Sequence, residues 1–256
     1  RREIGRRTGN VIAILSPAKN MRAVQKSMAV TKPPFLAQAA ELAERLRRFA
    51  PWELEGVLRV NPEIALRAFA YYHDFTNAEP SPAIMIYWGL AYQYLDAASF
   101  SQEDTAFAQE HLCLLSALYG VLRPLDGICP YRLEMNSRLR IDGKNLYRYW
   151  GDAWRNLLFQ KQEIIVNLAS AEYSSVVSRW MTEQDRMIDC VFLNPNRGVL
   201  KQLPVPAKMA RGKMARFIVQ NKIERTDALK AFDWDGYQFI PTLSGKNRFV
   251  YARTAF

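Results

Sequence analysis

Three short runs, VIAIL (Val11–Leu15), IIVNLA (Ile164–Ala169) and CVFL (Cys190–Leu193), contain almost no polar side chain and are rich in β-branched residues. A half-exposed strand alternates apolar and polar positions, whereas a run with no polar alternate reads as a strand buried on both faces. Runs of this kind, widely separated in the chain, require an interior sheet whose strands meet across long intervening segments.

Those segments read largely as helices. Leu36 to Phe49 has helical periodicity with an Arg/Glu outer face, Pro51 opens a second helix, and Asn61-Pro62-Glu63 caps a third that runs to about Tyr72. The second and third form a helical hairpin. Ser101 to Tyr119 is expected to be one long helix: Ser101 caps it, Glu103 and Asp104 occupy the first turn, and Phe107, Leu114, Leu115 and Leu118 supply a core stripe before Gly120 ends it. Ala207 to Ile223 is another helix. Tyr237–Ile240 and Arg248–Ala252 are expected to pair as strands around the turn Ser244–Asn247. With no regular βαβ repeat, internal repeat or linker, the expected fold is α+β: a single domain over 11–256 with a mixed β-sheet core surrounded by helices, preceded by a basic N-terminal extension over 1–10. The 256 residues, 49% of them hydrophobic, approach the upper limit for one core.

Several functional classes are disfavoured. No apolar run nears the roughly 20 residues of a membrane span, and no secretory signal follows the basic start. Three scattered cysteines argue for a reducing compartment rather than a disulfide framework. The two histidines, His73 and His111, lack zinc-site spacing, so core positions are expected and no metal site. No haem, P-loop or iron–sulfur motif occurs, so no cofactor is expected; the oligomeric state is left open.

The net charge of +10 is unevenly distributed. Arg1 to Arg22 carries six Lys/Arg against one acid, and Arg197 to Lys230 nine against two, so the remainder is slightly acidic. Basic surface concentrated in two regions suggests an anionic partner, nucleic acid first among them, with plain solubility charge as the bland alternative.

LYGVLRPLDGICPYRLEM (Leu118–Met135) combines two prolines, two glycines, large apolar residues and four charges. The prolines and glycines leave no room for a regular element. Val121, Leu122, Ile128, Leu133 and Met135 can anchor such a loop, leaving Arg123, Asp126, Arg132 and Glu134 rigidly presented. They are either a preorganised site, internal ion pairs that lock the loop, or both.

Two expected strands end in small polar residues: VIAIL before Ser16-Pro17-Ala18-Lys19, and IIVNLA before Ser170-Ala171-Glu172-Tyr173. If the strands are neighbours, Ser16, Lys19, Ser170, Glu172 and Tyr173 converge on one cleft. Lys19 would bind phosphate as a point charge or, if desolvated, act as a nucleophile. Equally, Ser170 is only an N-cap and Lys19 a solvated loop residue. In KMARGKMARFIVQNKI, Lys208, Arg211, Gly212, Ala215 and Lys222 share one helix side, opposite Ala210, Met214, Phe217 and Ile218. Small residues among the cations would admit a phosphate; the alternative is an ordinary solvated face. The Val60–Glu63 corner offers at most weak phosphate contacts, because Pro62 lacks an N–H and Glu63 repels anions.

ILSPAKN, FSQEDTAFAQEHL, LSALYGVLRPLDGICPYRLEM, NLASAEY, KMARGKMARFI and DGYQF together resemble the YaaA family of peroxide stress response proteins, in the family's order and over nearly the whole chain from Val11. The resemblance implies a single-domain α+β fold with a positively charged cleft and a helix-hairpin-helix-like element, duplex DNA binding, and a cytoplasmic role in limiting oxidative DNA damage. Carried over position by position, Ser16, Pro17 and Lys19 match SPAK; Arg123, Asp126, Arg132 and Glu134 match RPLD and PYRLEM. Asn167, Ser170, Glu172 and Tyr173 match NLAS-x-EY, and Lys208, Arg211, Gly212 and Arg216 match K-x-ARG-x-x-ARF. The chain departs from the family at Trp88, Leu90 and Tyr94, where a lysine, an acid and a glycine are usual, and at Arg22, where an acid is usual.

Two functions follow as expectations. One is a DNA-binding stress protein contacting double-stranded DNA through Ser16, Lys19, Arg123, Arg132, Asn167, Ser170, Lys208, Arg211, Gly212 and Arg216. The other is an enzyme acting on a nucleobase-like or other small anionic ligand, with a buried Lys19, Glu134, Glu172 and Tyr173 as candidate catalytic groups.

Overall fold

The computed structural model describes residues 10–24 and 29–253. The N-terminal extension read over 1–10 lies, except for Asn10, outside the described residues. The principal sheet uses β1 (Val11–Leu15), β2 (Leu112–Ser116), β3 (Gly120–Leu122), β4 (Ile164–Asn167), β5 (Arg186–Asn196), β6 (Val199–Lys201), β7 (Tyr237–Phe239) and β8 (Arg248–Arg253). Their order is β7-β8-β5-β4-β1-β2-β3, with β6 hairpinned onto β5. The five central strands are parallel, and the pairings to β3, β6 and β7 are antiparallel. Every residue of β1 is 4% exposed or less, so both faces of the central strand are covered, as its unbroken apolar run requires.

The labelled helices are α1 (Leu36–Arg47), α2 (Pro51–Leu58), α3 (Pro62–Asp74), α4 (Leu90–Leu95), α5 (Gln102–His111), α6 (Ala171–Ser178) and α7 (Pro204–Gln220). The single-domain architecture of mixed sheet and helices is the one expected. Among the described residues, no helix is long and apolar enough to cross a membrane.

α2 and α3 form the expected hairpin. Arg59 turns the corner with φ of 58°, and the Asn61 carboxamide accepts the Ile64 N–H at 2.9 Å. That donor is therefore already used, Pro62 supplies none, and the exposed Glu63 pairs with Arg67 at 2.8 Å. A structural helical corner accounts for all of this.

One element differs in kind from its expectation. The helix read over Ser101–Tyr119 ends at His111, and LCLLS continues as strand β2. The N-terminal half is as expected, with a reciprocal Ser101–Asp104 capping box. At the junction the His111 ring stacks on Phe107, and its Nδ1 lies 2.8 Å from the Val11 carbonyl oxygen. The sheet therefore captures Leu112–Ser116 as the neighbour of β1. Gly120 does not end a helix; it opens β3 with φ of +75°, its Cα packed toward Phe35 and Trp150. Short strands thus occur inside the stiff loop, Gly120–Leu122 in the main sheet and Gly127–Ile128 paired with Ser81–Pro82.

Candidate functional site

β1 and β4 are adjacent and parallel, with Ile14 opposite Asn167. From β1 the chain passes to β2 on one side, and later returns to β4 on the other. The crevice beyond the carboxyl ends of β1 and β4 is therefore a topological switch point, where sheets of this kind leave space for ligands. The two segments that leave these strands are tied together. The Ser170 N–H donates to the Ser16 Oγ at 2.8 Å, and the Ser16 hydroxyl donates to the Ser170 Oγ at 3.2 Å. The Tyr92 hydroxyl, at the start of α4, donates to the Ser16 carbonyl at 2.9 Å.

A cavity of about 500 Å³ opens here. Its lining includes Ser16–Asn20, Trp88–Tyr92, Tyr131–Glu134, Ser170, Glu172, Tyr173, Lys208 and Arg211, with Leu15 and Leu168 from the strand ends. The volume is that of a small-ligand site. The charges fall into two groups. In the first, Glu134 is shared: Lys19 Nζ approaches one carboxylate oxygen at 2.5 Å and Arg132 Nη2 donates to the other at 3.1 Å. Arg132 also donates to the Lys19 carbonyl at 3.2 Å. The Lys19 side chain is 65% exposed and ion-paired to Glu134, which corrects the expectation of a buried lysine.

In the second group, Lys208 and Arg211 stand one helical turn apart on α7. Neither side chain makes a hydrogen bond or ion pair among the described residues, and the buried Nε of Arg211 has no acceptor. Burial lowers the Arg211 pKa below the usual guanidinium range. A half-buried, unpaired cation facing a cavity is a standing demand for an anion.

The acids are less free. Glu172 lies in the first turn of α6 and accepts the Asn136 N–H at 3.2 Å. The neighbouring Tyr173 is 5% exposed. Burial, with Tyr131, Glu172 and Glu134 nearby, pushes its hydroxyl pKa well above the ordinary phenol range, so it holds its proton. Tyr131, raised to about 12 by burial, bonds to the Tyr87 and Ser116 hydroxyls at 2.7 and 2.8 Å.

Four residues expected at the site are employed elsewhere. Gly212 is pressed against the Ala91 backbone of α4, so the small face of α7 receives a helix rather than a phosphate. Arg216 donates to the Leu95 and Asp96 carbonyls at 3.0 and 2.9 Å, closing the C-terminus of α4. Arg123 donates to the Glu110 carbonyl at 2.9 Å, outside the cavity lining. Asn167 shapes the turn after β4, accepting the Ala169 N–H at 2.9 Å and donating to Asp189 at 2.7 Å. The stiff loop uses its charges both ways: Arg132–Glu134 is an ion pair at the cavity, whereas the buried Asp126 accepts the Arg123 N–H and the Thr31 hydroxyl, each at 2.7 Å. The residue-by-residue reading overlooked Tyr131 and Tyr92 at the cavity. Their clustering with Trp88 along an aromatic-rich chain was the available signal, but it is equally the signature of core.

The sequence profile of the family described as peroxide stress protein YaaA matches residues 11–243. The chain is 38% identical over 244 residues to a UPF0246 protein of Agathobacter rectalis, covering 94% of this chain and 98% of that one. It is also 38% identical over 254 residues to a UPF0246 protein of Leptothrix cholodnii, covering 95% and 98%. A UPF0246 protein of Francisella tularensis subsp. novicida is 35% identical over 255 residues, covering 95% and 100%.

Proposed function

The chain belongs to the YaaA family of peroxide stress proteins, and from that premise we propose that it binds duplex DNA, seating phosphate in the cleft at the ends of β1 and β4. The observation that carries this reading is the unpaired state of Lys208 and Arg211. Both line a cavity that also holds two carboxylates, Glu172 and Glu134, and Glu134 is already shared by Lys19 and Arg132. Phosphate answers the demand directly: the half-buried Arg211 supplies a fork and the exposed Lys208 a point charge beside it. The chain's charge of +10 would add long-range attraction for a polyanion.

Titrating a labelled duplex at two ionic strengths tests the reading. Affinity should fall steeply with salt, and Lys208→Ala with Arg211→Ala should weaken binding and flatten the salt slope by about two phosphate contacts. Salt-independent or absent duplex binding rejects it, as does an unchanged double variant.

A second reading has its own support. The cavity is deep enough for a small molecule, and Tyr173 holds a proton there beside Glu172. On this reading the chain is an enzyme acting on a nucleobase-like or other small anionic substrate, with the protonated Tyr173 hydroxyl as a hydrogen-bond donor to the substrate and Glu172 as a nearby carboxylate. Loss of turnover in Tyr173→Phe with retained ligand binding would support it; binding without turnover across nucleosides and nucleotides would leave DNA binding as the function.

A further inference from the structure

Trp88 is out of place. It is 40% exposed beside Tyr87, which is 1% exposed, and it is one of the residues that line the cavity with Lys208 and Arg211. It sits on a two-stranded ribbon, Asn20–Met21 against Tyr87–Trp88, with Asn20 opposite Trp88. Arg22, at the end of that ribbon, places its guanidinium 4.3 Å from the indole centroid. Arg22 is itself pinned: its N–H donates to the Ile86 carbonyl at 2.9 Å, and its Nε donates to the Met85 carbonyl at 3.2 Å. The guanidinium covers one face of the ring, and Arg22 does not border the cavity. The other face carries no guanidinium from Arg22.

We infer that Trp88, backed by Arg22, is a stacking platform, and that the ligand of this cleft is an anion carrying a planar heteroaromatic ring. This rests on the anion-binding reading of the cleft given above. Three observations support it beyond the exposure of the indole. First, the platform is held rigidly. A Cβ on Gly89 would lie 3.2 Å from the Ala18 Cβ, so the residue after Trp88 packs tightly on the Ser16–Lys19 loop. Second, the platform and the cations are joined through one helix contact. α4 begins two residues beyond Trp88, and its Ala91 backbone touches Gly212, the neighbour of Arg211. Gly212 thereby becomes a positioning residue, setting the spacing between ring and anion subsites. Third, the electrostatics select the partner. A cation on one face draws charge from the indole, so the opposite face prefers an electron-rich ring to a second cation. The volume of about 500 Å³ admits a ring, a sugar and a phosphate together.

Calorimetric titration with AMP, ribose 5-phosphate and a short duplex separates the possibilities. Wild type is expected to bind AMP at least fivefold more tightly than ribose 5-phosphate, the low end of what one stacked base contributes. Trp88→Ala should reduce AMP affinity to that of ribose 5-phosphate and leave the latter unchanged; Trp88→Phe should keep most of the AMP advantage; Arg22→Ala should reduce it. Because Trp88 is exposed, circular dichroism should show all three variants folded. Equal affinity of wild type for the two phosphates overturns the platform. So does a Trp88→Ala variant that weakens both alike, or duplex binding with neither small phosphate bound. If none of the three probes binds, the anion reading fails and the platform fails with it.

Discussion

Ser16 and Ser170 hold each other across the strand ends: the Ser170 N–H donates to the Ser16 Oγ at 2.8 Å, and the Ser16 hydroxyl donates to the Ser170 Oγ at 3.2 Å. The two contacts are unequal in consequence. Ser16→Ala deprives the N-cap amide of α6 of its acceptor, and a partly buried donor left unpaired costs about 1–3 kcal/mol. Ser170→Ala removes only a hydroxyl and leaves the amide bonded. Urea denaturation should therefore show a larger stability loss for Ser16→Ala than for Ser170→Ala, with the reverse order refuting the assigned donor and acceptor.

This pair also shows what the sequence could and could not reveal. Ser16 and Ser170 were legible because each follows a wholly apolar run, and such runs pair in the interior. Lys19, Glu172 and Tyr173 were legible at the same strand ends, whereas Arg132 was legible as a charge on the stiff loop and Lys208 and Arg211 as one side of a basic helix. The length of α5 was not. No glycine or proline separates His111 from Leu112, and an apolar run after a helix reads equally as more helix; the strand is decided by β1 lying beside it, a contact across nearly 100 residues. Gly212 and Arg216 were misassigned because a small residue and a cation on one helix face look alike whether a phosphate or another helix approaches. Only the Ala91 backbone and the Leu95 and Asp96 carbonyls distinguish them.

Gly212 and Gly56 form a matched pair of helical glycines with opposite expectations. A Cβ at Gly212 would collide with the Ala91 backbone, which cannot swing aside as a side-chain end can. Overpacking of this kind costs about 1–3 kcal/mol, against about 1 kcal/mol gained from the better helix former, so Gly212→Ala should lower the melting temperature. Nothing lies within 4 Å of a Cβ at Gly56 in α2, so Gly56→Ala should stabilise by about 0.5–1 kcal/mol. Thermal unfolding of both variants checks the pair; stabilisation by both would mean that α4 does not press on α7.

Asp185 should make stability depend on acid pH. Its side chain is 5% exposed. Burial pushes its pKa up, but the Arg155 guanidinium at 2.7 and 2.8 Å and the Thr182 N–H at 2.7 Å outweigh that, leaving the carboxyl below its usual range. A depressed folded-state pKa stabilises above the unfolded value of about 4 and is lost as pH falls through the folded value. Asp185→Asn should thus be less stable than wild type at pH 7 and pH 5, with the gap narrowing once the pH drops below about 4. Urea midpoints at pH 7, 5 and 3 decide it; a gap of constant size down to pH 3 removes the carboxylate from the explanation.

Glu134 is the residue whose replacement should strengthen function while weakening the fold. It neutralises the exposed Lys19 and the mostly buried Arg132, holding two of the four cleft cations back from any ligand. Glu134→Gln keeps a hydrogen-bond acceptor of nearly the same shape but removes the charge. Arg132, 13% exposed, loses a charged partner, which should cost about 1.5–3 kcal/mol of stability. Lys19, already facing solvent, turns toward the cavity mouth, and duplex affinity at low salt should rise severalfold with a steeper salt dependence. Denaturation and filter binding on the same preparation give both readouts. A variant that loses stability without gaining affinity would mean that the polyanion passes over some other surface, and that Lys19 and Arg132 serve only to lock the stiff segment against β1.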